Sequence, residues 1–146
     1  MRTIKYRGKT KNGEWLYGDL LQVANEVFIA PSDGDWFDFI PWSRNNVFHL
    51  PAAKYAVIPE TAGQFTGLLD KNGKDIYEGD IMRIPETEFN IEIIGVVEFD
   101  RGSYVVRSFF SGTNSSLAWA VRERQPGERR SVVIGNIYDN PELLNK

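Results

Sequence analysis

The stretch from Ile58 to Arg83 holds the densest turn chemistry in the chain and constrains the fold more than any other feature. Asn72-Gly73 lies between Leu68-Leu69 and Ile76-Tyr77, and Asn-Gly flanked by apolar residues marks a β-hairpin because both residues tolerate positive φ. The chain therefore reverses here. Glu78-Gly79-Asp80 supplies a second tight turn before Ile81-Met82-Arg83-Ile84. Gly79 permits the bend, and the Asp80 carboxylate is placed to accept hydrogen bonds from backbone amides just ahead of it. The pattern predicts the start of a strand in a small barrel.

The remaining segments read in the same idiom. Ile4 and Tyr6 alternate with Arg2, Lys5 and Arg7, and Trp15 to Leu21 follows a turn at Lys11-Asn12-Gly13-Glu14, which predicts a first hairpin. Lys11 to Leu21 echoes Lys71 to Met82 with one residue inserted in the second copy. Duplication and independent arrival at favoured turn residues both account for the echo. Val23 to Ile29 continues as strand until Pro31-Ser32-Asp33-Gly34-Asp35, and a further short strand is expected around Val47 to Leu50. Tyr55 to Ile58 reads as a strand ended by Pro59. Beyond it, the segment to Thr66 reads as loop with room for one helical turn. Ile91 to Phe99, Asp100-Arg101-Gly102-Ser103 and Tyr104 to Arg107 form a second clear hairpin. Ser115 to Arg124 is open between helix and strand and leans to helix, with Leu117, Ala120 and Val121 on one face. Ser131 to Tyr138 is the last strand, and Asn140-Pro141-Glu142 has the order of a helix cap, first-turn proline and first-turn acid.

A chain of 146 residues forms one domain or two very small ones and buries about 68–70% of its unfolded surface. The expected fold is mostly β, built of small barrel-like, SH3-like units from β-hairpins with little helix. Residues 1–55 form an N-terminal β region and residues 56–146 a barrel-like C-terminal region, or the two run together as one domain. The net charge of −3 speaks to solubility and not to a partner. The absence of cysteine rules out disulfides, thiolate nucleophiles and zinc–thiolate sites and fits a reducing compartment. No long apolar run and no charged-then-apolar leader is present, so no membrane contact is expected and the cytoplasm is the default location.

Few residues suggest catalysis. His49 is the only histidine, which excludes a multi-histidine metal site and makes any Ser-His-Asp arrangement depend on it. Its place between Phe48 and Leu50 reads as a strand end. Asp33, Asp35 and Asp38 lack the bidentate Glu and the remaining ligands of a calcium loop. Asp70, Asp75, Glu78 and Asp80 sit in or beside glycine and asparagine turns, where local backbone roles account for them. We therefore expect no enzyme activity, no metal and no cofactor.

Two surfaces are candidates for binding. Trp36-Phe37-Asp38-Phe39-Ile40-Pro41-Trp42 concentrates four aromatics, Trp36, Phe37, Phe39 and Trp42, between two prolines. The segment either plugs one end of a barrel or faces a protein partner. Burial is the commoner fate of such side chains, whereas an exposed apolar patch signals binding. Arg122, Arg124, Arg129 and Arg130 cluster around Pro126-Gly127, and Arg2, Lys5, Arg7, Lys9 and Lys11 make a basic start. With Trp119 and Tyr104 for stacking, these form a candidate nucleic-acid surface, opposed by Glu123, Glu128 and the acidic total.

Four stretches stand together: Val57-Ile58-Pro59-Glu60-Thr61, Gly63-Gln64-Phe65-Thr66-Gly67-Leu68, Asp70-Lys71-Asn72-Gly73-Lys74 and Ile76-Tyr77-Glu78-Gly79-Asp80-Ile81. With them the chain resembles the YopX-type proteins of bacteriophages and prophages. Gly13 to Leu20, Gly95 to Phe99 with Gly102, and Val133 to Leu144 agree. Gly8-Lys9 stands where members of that family often carry Ala-Trp. The resemblance implies a phage or prophage product acting in the bacterial cytoplasm, with a mostly β fold and no assigned catalytic residues. The expected role is a non-enzymatic module that binds a host or phage protein, or itself, through Trp36 to Trp42. Nucleic-acid binding through the arginine cluster is the alternative.

Overall fold

The computed structural model describes residues 1–32, 51–85, 92–123, 125–126, 128 and 130–145. All strand pairings among the described residues are antiparallel. The only α-helix among the described residues is a single turn. The chain divides into two compact units, Met1–Gln64 and Phe65–Lys146.

The first unit is organised by β1 (Tyr6–Lys9), β2 (Trp15–Val23), β3 (Glu26–Pro31), β4 (Ala56–Val57) and the start of β5 (Gly63–Leu69), in the order β4-β3-β2-β1-β5. The inner strand β3 is apolar without alternation because both of its faces are covered. Val27 and Ile29 pack with Val57, Leu16 and Leu20 on one face. On the other, Phe28 and Ala30 pack with Tyr55, which is delivered by a 3-10 turn at Ala53–Tyr55.

Two expectations are corrected here. Val23 to Ile29 is not one strand: Val23 pairs with Glu26 across a two-residue hairpin, and Ala24 takes φ +53. No glycine marks this turn, and Asn25 is the single usual turn residue in its two-residue loop. The strand expected at Tyr55 to Ile58 shrinks to Ala56–Val57, because 3-10 turns at Ala53–Tyr55 and Pro59–Thr61 enclose it. The short strand expected around Val47 to Leu50 lies outside the described residues.

In the second unit the latter part of β5 pairs with β6 (Asp75–Tyr77) across the Asn72-Gly73 turn. Then β7 (Asp80–Ile84), β8 (Ile93–Asp100), β9 (Ser103–Ser108), β10 (Asn114–Ser116) and β11 (Val132–Asn136) form a sheet of order β10-β9-β8-β7-β11. The hairpin at Arg101-Gly102 is as expected, with φ +50 and +86 at its two loop residues. The region from Ser115 combines both readings: β10 runs into helix α1 (Leu117–Ala120), capped by the Ser116 side chain. The predicted face holds, since Leu117, Ala120 and Val121 are buried with Met82, Val97 and Val106 in one core.

Candidate functional site

The turn motifs can be followed atom by atom. The Asp70 side chain is 1% exposed. Its Oδ1 accepts the amides of Asn72 at 2.8 Å and Lys74 at 2.9 Å, while Oδ2 accepts the Val133 amide at 3.0 Å. It thus closes the Asn72-Gly73 turn and fastens it to β11. Thr66 sits beside a bulge in β5 where Gly67 takes φ +84. Its hydroxyl donates to the Ile76 carbonyl at 2.8 Å and accepts the Leu68 amide at 3.3 Å, satisfying groups that the bulge removes from the ladder.

Asp80 is buried too, and its Oδ2 accepts the Tyr77 amide at 2.8 Å, which lies behind it in the chain rather than ahead. Gly79, at φ +84, donates its amide to Val97 and accepts from Ile137, so the turn is held from both sides. In the first unit Thr61 plays the corresponding part. Its hydroxyl donates to Ile58 at 2.6 Å and accepts the Lys9 amide at 2.8 Å. At the end of the chain Asn136 Oδ1 accepts the amides of Tyr138 and Asp139, and Asn140 Oδ1 accepts the Asn136 amide. Asn140 precedes the 3-10 turn Pro141–Leu144 but sends its side chain back to Asn136 instead of capping that turn. Motif residues that look like chemistry in the sequence thus hold main chain in place.

The YopX protein family model matches residues 5–145. The chain belongs to the YopX family. Protein EF1440 from Enterococcus faecalis, known from a crystal structure, is similar in fold, with a TM-score of 0.54 at 23% identity over 99% of each chain. No curated protein matches the sequence. The Gly8 that departs from the YopX pattern has a local reason in this chain: a Cβ at that position would stand 2.7 Å from the Val57 side chain.

The surface candidates of this YopX protein fare unequally. Trp36, Phe37, Phe39 and Trp42 lie outside the described residues, as do His49, the Asp33-Asp35-Asp38 set, Arg124 and Arg129. Arg122 and Arg130 are brought together around a recess of about 10 Å³ floored by Ser131 and Ala120 and edged by Trp119. The Arg122 guanidinium lies 5.1 Å from the Trp119 ring centre, and Trp119 is partly exposed. The Arg130 Nε and Nη2 both donate to Glu128, which offsets that charge. Arg7 does not belong to an exposed basic start: it is 5% exposed with its guanidinium 4.9 Å over the Trp15 ring. Tyr104 stacks edge to face on Phe99 across β8 and β9.

Two surface features were missed. Phe109 and Phe110 follow β9, are 53% and 63% exposed and meet edge to face at 5.9 Å. Adjacent phenylalanines just before Ser111-Gly112 carry the signal, because a turn at a strand end lies on the surface and leaves such side chains little core to enter. The second is a cavity of about 210 Å³ in the first unit, between the Lys11-Asn12 turn and Ala53 to Val57. No local pattern announces it. Among the described residues, no three His, Cys, Asp or Glu side chains converge to hold a metal ion, and no helix is long and apolar enough to cross a membrane.

Proposed function

We propose that this YopX protein is a phage- or prophage-encoded, non-enzymatic module of the bacterial cytoplasm that binds a host or phage protein or a second copy of itself. The observation that carries this reading is the use of the family's polar motif residues. Asp70, Asp80, Thr61, Thr66, Asn136 and Asn140 engage main-chain groups, so the shared pattern encodes a scaffold. Recognition then falls to aromatic side chains outside the pattern: the Trp36 to Trp42 segment and the exposed Phe109-Phe110 pair. The short strands of the second unit, wrapped on a single core with one helical turn between β10 and β11, support an SH3-like small barrel as its architecture.

The test is capture of the tagged protein from a lysate of its host, with and without nuclease, alongside sedimentation velocity of the purified chain. Partners that survive nuclease and are lost with Trp36→Ala plus Trp42→Ala, or with Phe109→Ser plus Phe110→Ser, support the module. Identical partners and identical sedimentation for all variants refute it.

Arg122 over exposed Trp119 favours a second reading, nucleic-acid binding with a base stacked at the ring and phosphates at Arg122 and Arg130. Its signature is an affinity for single strands that falls steeply with salt and weakens on Arg122→Ala. A flat salt response removes it.

A further inference from the structure

The sequence contains two Asn-Gly pairs, Asn12-Gly13 and Asn72-Gly73, each preceded by lysine. All four residues are exposed, and each pair sits at the tip of a tight turn with its glycine at positive φ, +87 for Gly13 and +77 for Gly73. Asparagine is a thermolabile residue. Before glycine it is at its most reactive, since no Cβ obstructs approach of the following main-chain nitrogen to the side-chain amide. The intrinsic chemistry of the two sites is matched by their shared Lys-Asn-Gly context. Any difference between them in the folded protein comes from the fold.

The fold treats them differently. In the first turn Thr10 and Glu14 exchange one main-chain bond, Gly13 donates to the Thr10 carbonyl at 3.0 Å, and the Thr10 hydroxyl accepts the Glu14 amide at 3.2 Å. The second turn repeats that set with Asp70, Gly73 and Lys74 and adds to it. The Asn72 amide itself is fixed to Asp70 Oδ1 at 2.8 Å, the Lys71 amide donates to Ser131 at 2.9 Å, and Asp70 Oδ2 is held by Val133. Ring closure requires the glycine nitrogen to leave its hydrogen bond and the asparagine backbone to rotate. The added bonds oppose that rotation at Asn72, and none of the bonds within the first turn fixes the Asn12 amide.

We propose that Asn12 is a site of spontaneous deamidation in the folded protein and that Asn72 is shielded by the Asp70 carboxylate. The Gly13 nitrogen attacks Asn12 Cγ, forming an N–Cγ bond while its proton passes to water. The Cγ–Nδ2 bond breaks, and Nδ2 takes a proton from solvent and leaves as ammonia. Water then opens the five-membered imide at either carbonyl, giving aspartate or isoaspartate at position 12. No oxidant or reductant is involved. Asn12 lines the first-unit cavity together with Lys11, Glu14 and Lys54. The reaction therefore adds one negative charge to that rim and, in the isoaspartate product, one extra backbone atom to its turn.

The experiment incubates the full chain at neutral to mildly alkaline pH, native and in denaturant, and follows both sites by peptide mass spectrometry. The signal is a gain of about 1 Da with resolved isoaspartyl peptides. In denaturant the two sites react at comparable rates. In the native protein position 12 reacts several-fold faster than position 72. Equal native rates, a faster position 72, or no product at position 12 while the denatured chain reacts, each overturns the proposal. Thr10→Asp supplies the first turn with the acceptor that Asp70 gives the second and slows position 12. An unchanged rate at unchanged circular dichroism overturns the assigned cause.

Discussion

The turns Thr10 to Glu14 and Asp70 to Lys74 use the same main-chain bonds and the same positive-φ glycine, yet they are anchored by opposite strategies. In the first, the side chain at the leading position is a hydroxyl that serves one amide, and the long-range tie comes from outside, where Thr61 receives the Lys9 amide and Ile58 donates to Lys9. In the second, one buried carboxylate serves two amides inside the turn and a third on β11, 63 residues away in sequence. Turn geometry is thus portable, while the residue at its leading corner decides whether the turn is a local reversal or a rivet for the whole unit.

The comparison breaks most decisively at Asp70. Asp70→Ala leaves three amides without their acceptor, and since a hydrogen bond to a charged group contributes about 1.5–3 kcal/mol, the loss reaches about 4 kcal/mol with partial compensation by water. Denaturant unfolding followed by fluorescence reads this directly. Gly18→Ala is next. A Cβ there would stand 1.8 Å from the Ala30 carbonyl oxygen, so β2 and β3 must separate at a cost of about 3 kcal/mol, seen as a lower unfolding midpoint. Thr10→Ala removes a single hydroxyl and costs about 1 kcal/mol. If it matches Asp70→Ala, the two anchoring strategies are not different. The smallest effect has the opposite sign. Ala24→Gly relieves a residue held at φ +53 and, net of the added unfolded-state entropy, raises stability by about 0.5 kcal/mol.

Much of this was legible because it is local. Asn72-Gly73, Gly79-Asp80 and Arg101-Gly102 announce their turns through residues that accept positive φ, and Leu117, Ala120 and Val121 announce a buried face by helical spacing. At Ala24-Asn25 it is Ala24 that takes the positive φ, a conformation alanine does not favour, as β2 pairs back on β3. The reach of Asp70 to Val133 was silent, since a carboxylate in a turn looks the same whether its second oxygen meets water or a distant strand. Of the candidate sites, Arg122 and Trp119 were legible as a cation and a stacking ring for one surface, though not their contact. The cavity next to Asn12 was not, because it depends on bringing Ala53 to Val57 against a turn some forty residues earlier.

Strand β11 lies at one side of the second unit's sheet, and among the described residues β7 is its strand neighbour there. Several main-chain groups along and beside it are nonetheless occupied: the Ser131 carbonyl, just before the strand, receives the Lys71 amide, Val133 gives its amide to Asp70, and Asn136 gives its own to Asn140. A foreign strand arriving at this border meets an interrupted row of donors and acceptors rather than the open row that an exposed edge offers for pairing. A side chain that rivets a turn thus also interrupts the template that edge pairing would copy.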